Sequence, residues 1–229
     1  MTYCIRPFAG IALLLAGLLT ACSSDQIEHI KNGKKIARDL ENMTVKRILP
    51  VDLLRATRWA GDSLTRHADR ELRCVLMEKL QAGGVAAALP YCRPETYASV
   101  DSLESVLQAT AQRRSARPRN PANQAALPPV DLAPDTTRRV ARRNAEVFMY
   151  QRPIVLTDAF CLRCHGEVGK DISSADYALI RKQYPQDQAT GYQLGQVMGV
   201  WHLTLLRPGV AEFYTMKTRK IMKPRKKLF

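Results

Sequence analysis

The feature that most constrains this chain is the run Cys161-Leu162-Arg163-Cys164-His165, in which two thiols enclose two residues and an imidazole follows directly. This Cys-x-x-Cys-His spacing is that of c-type haem attachment. Two intervening residues let both sulfurs reach the two vinyl groups on one edge of a porphyrin, and the imidazole is then placed over the iron. The sequence therefore predicts one covalently bound haem c, with Cys161 and Cys164 as thioether donors and His165 as the proximal axial ligand.

Other interpretations of the motif are weaker. A structural zinc site needs a second pair of Cys or His ligands, and the chain has no second Cys-x-x-Cys. A thioredoxin-type dithiol stands at the start of a helix in a βαβ unit and has no need of the histidine. A disulfide across two residues is strained. The haem interpretation is therefore favoured.

Residues 1–21 are predicted to be an export signal. Residues 8–19 form an apolar stretch that is too short to remain in a bilayer as a stable helix. A cysteine, Cys22, follows the small residue Ala21, which resembles the lipobox of bacterial lipoproteins, and Ser23 and Ser24 resemble the pattern carried to the outer membrane. We therefore expect lipidation of Cys22 and a location on the periplasmic face of the outer membrane, with the inner membrane less favoured. The alternative is an uncleaved anchor.

The chain carries a formal charge of +14, from 35 Lys and Arg against 21 Asp and Glu. In a cytosolic protein such a charge indicates nucleic acid, but export removes nucleic acid as a partner. Residues 209–229 form a predicted basic tail, with Lys217, Arg219, Lys220, Lys223, Arg225, Lys226 and Lys227. Such a block is usually a solvated tail. It can also bind anionic lipid headgroups or guide an acidic redox partner.

Residues 22–50 are predicted to be a linker with a helical stripe, and residues 51–208 the haem domain. Asp52 is the predicted N-cap of a helix that runs to about residue 82, where Gly83 and Gly84 end it. The apolar positions of this helix recur at steps of four and seven residues: Leu53, Ala60, Leu64, Ala68, Leu72, Leu76 and Leu80. A second helical segment is predicted over residues 94–114.

The last third of the chain changes character. Residues 147–156 are rich in β-branched and aromatic side chains and predict a strand, which Pro153 restricts to an edge or a bulge. Residues 173–184 predict a short helix with a Ser173 capping box. Residues 195–206 alternate as a strand does. Helices followed by strands indicate an α+β domain with a small antiparallel sheet.

Further motifs lie on both sides of the thiols. They are Leu80-x-x-Gly-Gly84, Arg119-Asn-Pro-Ala-Asn123, Tyr150-Gln-Arg-Pro-Ile154, Cys161-Leu-x-Cys-His-Gly166, Tyr184-Pro-x-Asp187, Ala189-Thr-Gly-Tyr192 and Gly195. With them, the chain resembles the single-haem, PAS-like c-type proteins catalogued as a domain of unknown function, over about residues 60–206. The resemblance implies a PAS-like antiparallel sheet flanked by long N-terminal helices, with covalently bound haem. Gly195-Gln-Val-Met-Gly199 stands where the family often has Gly-Glu-x-Arg-Gly.

The residues alone leave the second axial ligand open. Once lipid takes Cys22 and haem takes Cys161 and Cys164, two further cysteines remain downstream of the signal, Cys74 and Cys92. In an oxidising compartment they would form a disulfide, or Cys74 would be a small buried side chain. The family resemblance implies instead that Cys92 is the second axial ligand. The alternative ligand is His202, and Met198 and Met216 are further candidates.

The predicted function is that of a lipid-anchored haem protein that senses redox state or a diatomic ligand, or that transfers single electrons to a partner protein. One alternative is a haem enzyme of the peroxidase or nitrogen-oxide reductase type, which needs an open iron position. Another is a small cytochrome c electron carrier, although those carry the motif near one end of the domain. A third is a structural lipoprotein that haem merely stabilises.

Overall fold

The computed structural model describes residues 32–36, 48–125 and 138–218. The chain divides into two units, Met1–Arg47 and Ile48–Phe229. In the first unit, residues 33–36 are helical. The predicted signal, Cys22 and most of the predicted linker lie outside the described residues. No helix within the described ranges combines the length and the hydrophobicity that a membrane crossing requires.

The described part of the second unit contains both helices and strands. The helices are α1 (Pro50–Ala88), α2 (Ala98–Leu107), α3 (Leu162–His165), α4 (Ser174–Gln183) and α5 (Arg207–Thr218). The strands are β1 (Ala109–Arg114), β2 (Arg139–Arg142), β3 (Val147–Val155) and β4 (Val197–Leu206). Short 3-10 turns cover Leu89–Tyr91, Pro94–Thr96, Pro121–Asn123 and Ala159–Cys161. The predicted α+β class is confirmed.

Helix α1 begins three residues earlier than predicted. Leu49 is the N-cap and Pro50 the first helical residue, so the assignment of Asp52 as N-cap is wrong. Proline is favoured at the first helical position because its fixed φ suits the helix and its missing N–H has no acceptor there. Asp52 lies in the first turn, where its carboxylate pairs with Arg55 at 3.1 Å.

Helix α1 is interrupted where the glycine pair was predicted to end it. Gly83 has φ −161° and ψ 24°, and Gly84 has φ 65° and ψ −153°, a conformation that only glycine adopts without strain. One further helical turn follows to Ala88. The 3-10 turn Leu89–Tyr91 then leads directly into Cys92.

The four strands form one antiparallel sheet in the order β1-β4-β3-β2. The prediction of a helix over residues 94–114 is wrong at its C-terminal end, where residues 109–114 form β1. Gln108 adopts the left-handed conformation, with φ 47°, and ends α2. From there Ala109 to Arg114 pair residue by residue with β4, so pairing overrides the weak helical pattern.

Within the described residues, Pro153 lies in β3 beyond the stretch that pairs with β2, so this part of β3 has a strand neighbour only in β4, which fits the predicted edge. A β-bulge follows at once: Ile154 pairs with Gly199 and Val155 pairs with Val197. Met198 is thereby left without an opposite residue on β3. Bulges redirect the extra side chain, and here the extra side chain lines the candidate site.

The main core lies between α1, α5 and the sheet. Its fully buried side chains include Leu64, Phe148, Tyr150, Trp201, Leu203, Leu205 and Val210. Gly61 lets α1 approach the sheet, because a Cβ atom there would stand 2.3 Å from Cγ of Tyr150. The segment 209–218, expected as part of a tail, belongs to α5 and contributes Val210 to the core. The basic residues after Thr218 lie outside the described part of the chain.

Candidate haem site

The Cys-x-x-Cys-His motif lies in the connection between β3 and β4. Cys161 ends the 3-10 turn Ala159–Cys161, and Cys164 and His165 belong to the short helix α3. Two small apolar clusters, separate from the main core, hold this segment. Cys161 packs against Leu156, Ala189 and Tyr192, and Cys164 packs against Val85, Leu89, Ile172 and Ile180.

The three motif side chains line one partly open cavity. A cleft with mainly apolar walls and a few polar groups is typical of small-molecule and cofactor sites. The wall formed by α1 is apolar and continues the predicted stripe of the helix. The lining residues are Asp69, Leu72, Leu76, Leu80, Ala88, Leu89, Cys92, Arg113, Arg119, Ile154, Phe160, Cys161, Cys164, His165 and Met198.

The imidazole of His165 is fixed in one tautomer. Its Nδ1 atom lies 2.8 Å from the carbonyl oxygen of Ala189. Because a carbonyl only accepts hydrogen bonds, Nδ1 is the donor and Nε2 keeps its lone pair. Burial, together with the nearby charge of Arg119, lowers the pKa of His165 to about 3. The ring is therefore neutral near pH 7, which is the form that binds a metal.

A buried ion pair supports the loop that holds His165. Arg119 Nε donates to Asp187 Oδ1 at 3.2 Å, and the Asp187 side chain is fully buried. The same Oδ1 atom accepts a hydrogen bond of 2.9 Å from the backbone N–H of Ala189. Arg119 Nη2 also donates to the carbonyl oxygen of Cys164. The motifs that contain Arg119, Asp187 and Ala189 thus meet around the imidazole of the Cys-x-x-Cys-His motif.

The thiols of the site are free. Burial raises the pKa of Cys161 and of Cys164 to about 11, so both are thiols at neutral pH. Cys92 is half-buried on the same cavity, and its carbonyl oxygen accepts a hydrogen bond of 2.7 Å from Arg113. Cys74 is an exposed free thiol on α1, so neither the disulfide with Cys92 nor a buried Cys74 is found.

Of the three other candidate ligands, Met198 lines the cavity. His202 does not: its Nδ1 atom lies 3.1 Å from Nε2 of Gln151. Met216 lies on α5 with half of its surface exposed. The structure therefore brings Cys92 and Met198 to the cavity with His165, and leaves His202 and Met216 elsewhere.

Comparison with known proteins places these residues in a family. The model of a family described as Tll0287-like matches residues 27–205. The chain belongs to the Tll0287-like family. This confirms the family resemblance drawn from the motifs, and the matched range includes every residue that lines the cavity.

Comparison with solved structures gives a remote match. The crystal structure of the cyanobacterial heme-protein Tll0287 matches with 18% sequence identity and a TM-score of 0.42, covering 62% of this chain and 92% of that chain. No curated protein matches the chain.

Two residues of this Tll0287-like site were missed in the sequence. Arg119 was visible only as the first residue of the motif Arg-Asn-Pro-Ala-Asn, with no indication of what it binds. Arg113 gave no signal, because its segment was predicted to be helical. In the structure Arg113 Nε pairs with Glu95 at 2.8 Å while the same guanidinium holds the carbonyl of Cys92.

Proposed function

We propose that this chain is an exported, lipid-anchored c-type haem protein that carries one covalent haem and serves in redox or ligand sensing or in single-electron transfer. The observation that carries the proposal is the meeting of two thiols and a neutral imidazole on one apolar cavity. Membership of the Tll0287-like family supports it, since that family includes a protein described as a heme-protein.

The residues present fit a haem. Cys161 and Cys164 would form the thioethers, and Nε2 of His165 would bind the iron. Cys92 supplies a thiol on the same cavity and is the proposed second axial ligand, with Met198 as the alternative. A bound haem would supply a one-electron ferric–ferrous couple, and thiolate ligation would give it a low potential. The apolar wall of α1 would exclude water from the bound haem.

The electrostatics of the cavity favour a carrier or sensor over a haem enzyme. Asp69 is the one carboxylate among the residues that line this cavity. Its Oδ1 atom accepts a hydrogen bond of 3.0 Å from Trp201 Nε1, and its Oδ2 atom pairs with Arg152. A carboxylate held by two donors is poorly suited to act as the acid or base that peroxide chemistry needs. Two protein ligands would also leave no open iron position.

The fold assignment, the location and the partners have separate support. The PAS-like assignment is supported by the four-stranded antiparallel sheet with the long helix α1 packed against it. The outer-membrane location rests on the lipobox resemblance at Cys22. Attraction of the basic residues beyond Thr218 to anionic lipid or to an acidic redox partner is part of the same proposal.

Covalent attachment is the test. The full-length protein, expressed in a host that matures c-type haem, should keep its haem stain on a denaturing gel. Replacing Cys161 and Cys164 together with alanine should abolish the stain. Cys74→Ala, which removes an exposed thiol outside the cavity, is the matched control and should retain it. A wild-type protein without stain, or a double variant that keeps it, would overturn the proposal.

A further inference from the structure

We propose that Arg119 binds a propionate carboxylate of the haem through its Nη1 atom, which makes it the residue that anchors the polar edge of the cofactor. This inference rests on the proposed function. The side chain of Arg119 is 10% exposed, and Nη1 is buried with no partner among the described residues. Its other nitrogens are engaged, Nε by Asp187 and Nη2 by the carbonyl of Cys164. A buried cationic N–H donor without an acceptor costs free energy, so the lack of a partner for Nη1 needs an explanation.

The position of Arg119 matches the polar edge of a haem. It lines the cavity that holds the motif thiols, and also an adjoining, more open cavity whose lining includes His165 but neither Cys161 nor Cys164. Vinyl groups and propionates stand on opposite edges of a porphyrin. With the vinyl edge attached to the two thiols, the propionates would therefore extend away from them, into the adjoining cavity.

The adjoining cavity has the charge that two carboxylates require. Five of its lining residues are arginines, namely Arg93, Arg113, Arg114, Arg117 and Arg119, and none is an Asp or Glu. Arg113 is paired with Glu95, and Arg117 donates to two backbone carbonyls. Arg119 alone among the five retains a buried nitrogen without an acceptor. Charge-assisted bonds from arginine to a carboxylate are among the strongest in proteins.

The test compares holoproteins that carry covalent haem, by resonance Raman spectroscopy of the propionate bending band and by the midpoint potential at one pH. Arg119→Gln should move the band to lower frequency, because the carboxylate loses its donor, and should lower the potential, because a positive charge near the iron is lost. Arg117→Gln is the matched control, since Arg117 lines the same cavity from an exposed position. It should leave the band in place.

Asp187→Asn separates binding from a merely structural role. It removes the ion pair but keeps the guanidinium, so the band should stay at the wild-type frequency. An unchanged band in Arg119→Gln, or an equal shift in Asp187→Asn, would overturn the proposal. If Arg119→Gln fails to accumulate, Arg119→Lys replaces it as the test. The single ammonium group of lysine is expected to pair with Asp187 and leave the propionate without a donor, so the band should still shift. An unshifted band would overturn the proposal.

Added acetate tests whether Nη1 binds a free anion instead of a haem propionate. Acetate added at constant ionic strength should leave the wild-type band and potential unchanged. A dependence on acetate would assign Nη1 to a free anion and overturn the propionate assignment. Loss of the haem stain from the wild-type protein would instead refute the proposed function itself, so the two failures are told apart on the denaturing gel.

Discussion

Nδ1 of His165 donates a hydrogen bond of 2.8 Å to the carbonyl oxygen of Ala189. The amide of Ala189 is in turn held by Asp187, at 2.9 Å, and Asp187 is paired with Arg119. The orientation of the imidazole, and so of Nε2, therefore depends on the buried ion pair of Arg119 with Asp187, which lies two residues before the acceptor Ala189. Outer hydrogen bonds of this kind set the orientation and basicity of histidine ligands.

Asp187→Ala should therefore destabilise the protein severely. The change leaves the charge of Arg119 buried without its carboxylate, and breaking a buried pair from one side costs about 3–5 kcal/mol. Urea denaturation measures this loss. The double variant Arg119→Met with Asp187→Leu removes both charges and should recover part of the stability. A double variant as unstable as Asp187→Ala would show that the unpaired charge is not the cause.

Cys92→Ala should change the coordination of the haem. If Cys92 binds the iron together with His165, as proposed, the ferric haem would be six-coordinate and low-spin. The variant should become high-spin, or take up cyanide or imidazole much faster. Absorption and magnetic spectra give the result, and Cys74→Ala is the control because Cys74 is exposed on α1.

Two further variants identify the ligand if Cys92→Ala leaves the spectrum unchanged. Met198→Leu would then be expected to change it, because Met198 is the other candidate ligand on the cavity. His202→Ala should leave the spectrum unaltered in either case, since His202 does not line the cavity. A spectrum altered by His202→Ala alone would contradict the assignment of the site.

Gly61→Ala should destabilise the fold, although alanine favours a helix by about 1 kcal/mol over glycine. The added Cβ would stand 2.3 Å from Cγ of Tyr150. The ring of Tyr150 is fully buried and its hydroxyl donates to Asp62 at 2.6 Å, so it has little freedom to move away. Overpacking of this kind costs about 1–3 kcal/mol, which exceeds the helical gain. Arg58→Ala, on an exposed position of α1, should be nearly neutral in the same urea titration.

Cys22→Ser should release the mature protein from the membrane fraction, because the proposed lipid anchor could no longer be attached. Fractionation in high salt is the measurement, since salt screens any residual attraction of the basic tail to lipid. Cys74→Ser is the control and should remain in the membrane fraction. Retention of Cys22→Ser in high salt would refute the lipid anchor.

Much of the fold was predictable because periodic patterns record burial. The stripe that begins at Leu53 predicted α1, and its first half packs into the main core through Leu64 and Ala68. The same stripe continues through Leu72 and Leu76, which line the cavity instead. Periodicity reports an apolar neighbour, and it does not distinguish protein from cofactor.

Strand β1 and the arginines could not be predicted in the same way. Along β1 only Ala109 and Ala111 alternate with exposed residues, which is too short a pattern to compete with the helical segment before it. Its conformation comes from pairing with β4, which begins 88 residues after Ala109. The role of Arg113 follows from that pairing and is invisible without it. The motif histidine, by contrast, was singled out by its spacing alone, and the structure places it on the cavity.

The placement of the Cys-x-x-Cys-His segment between β3 and β4 bears on the order of assembly. The ladder that joins these strands, and the main core behind it, include no residue of the motif. Folding of the scaffold and maturation of the cofactor thus draw on separate contacts. The strands can therefore pair before any haem is attached to the motif. A haem attached to the motif and bound by Cys92, as proposed, would then link the end of α1 to a segment far along the chain after the sheet has formed.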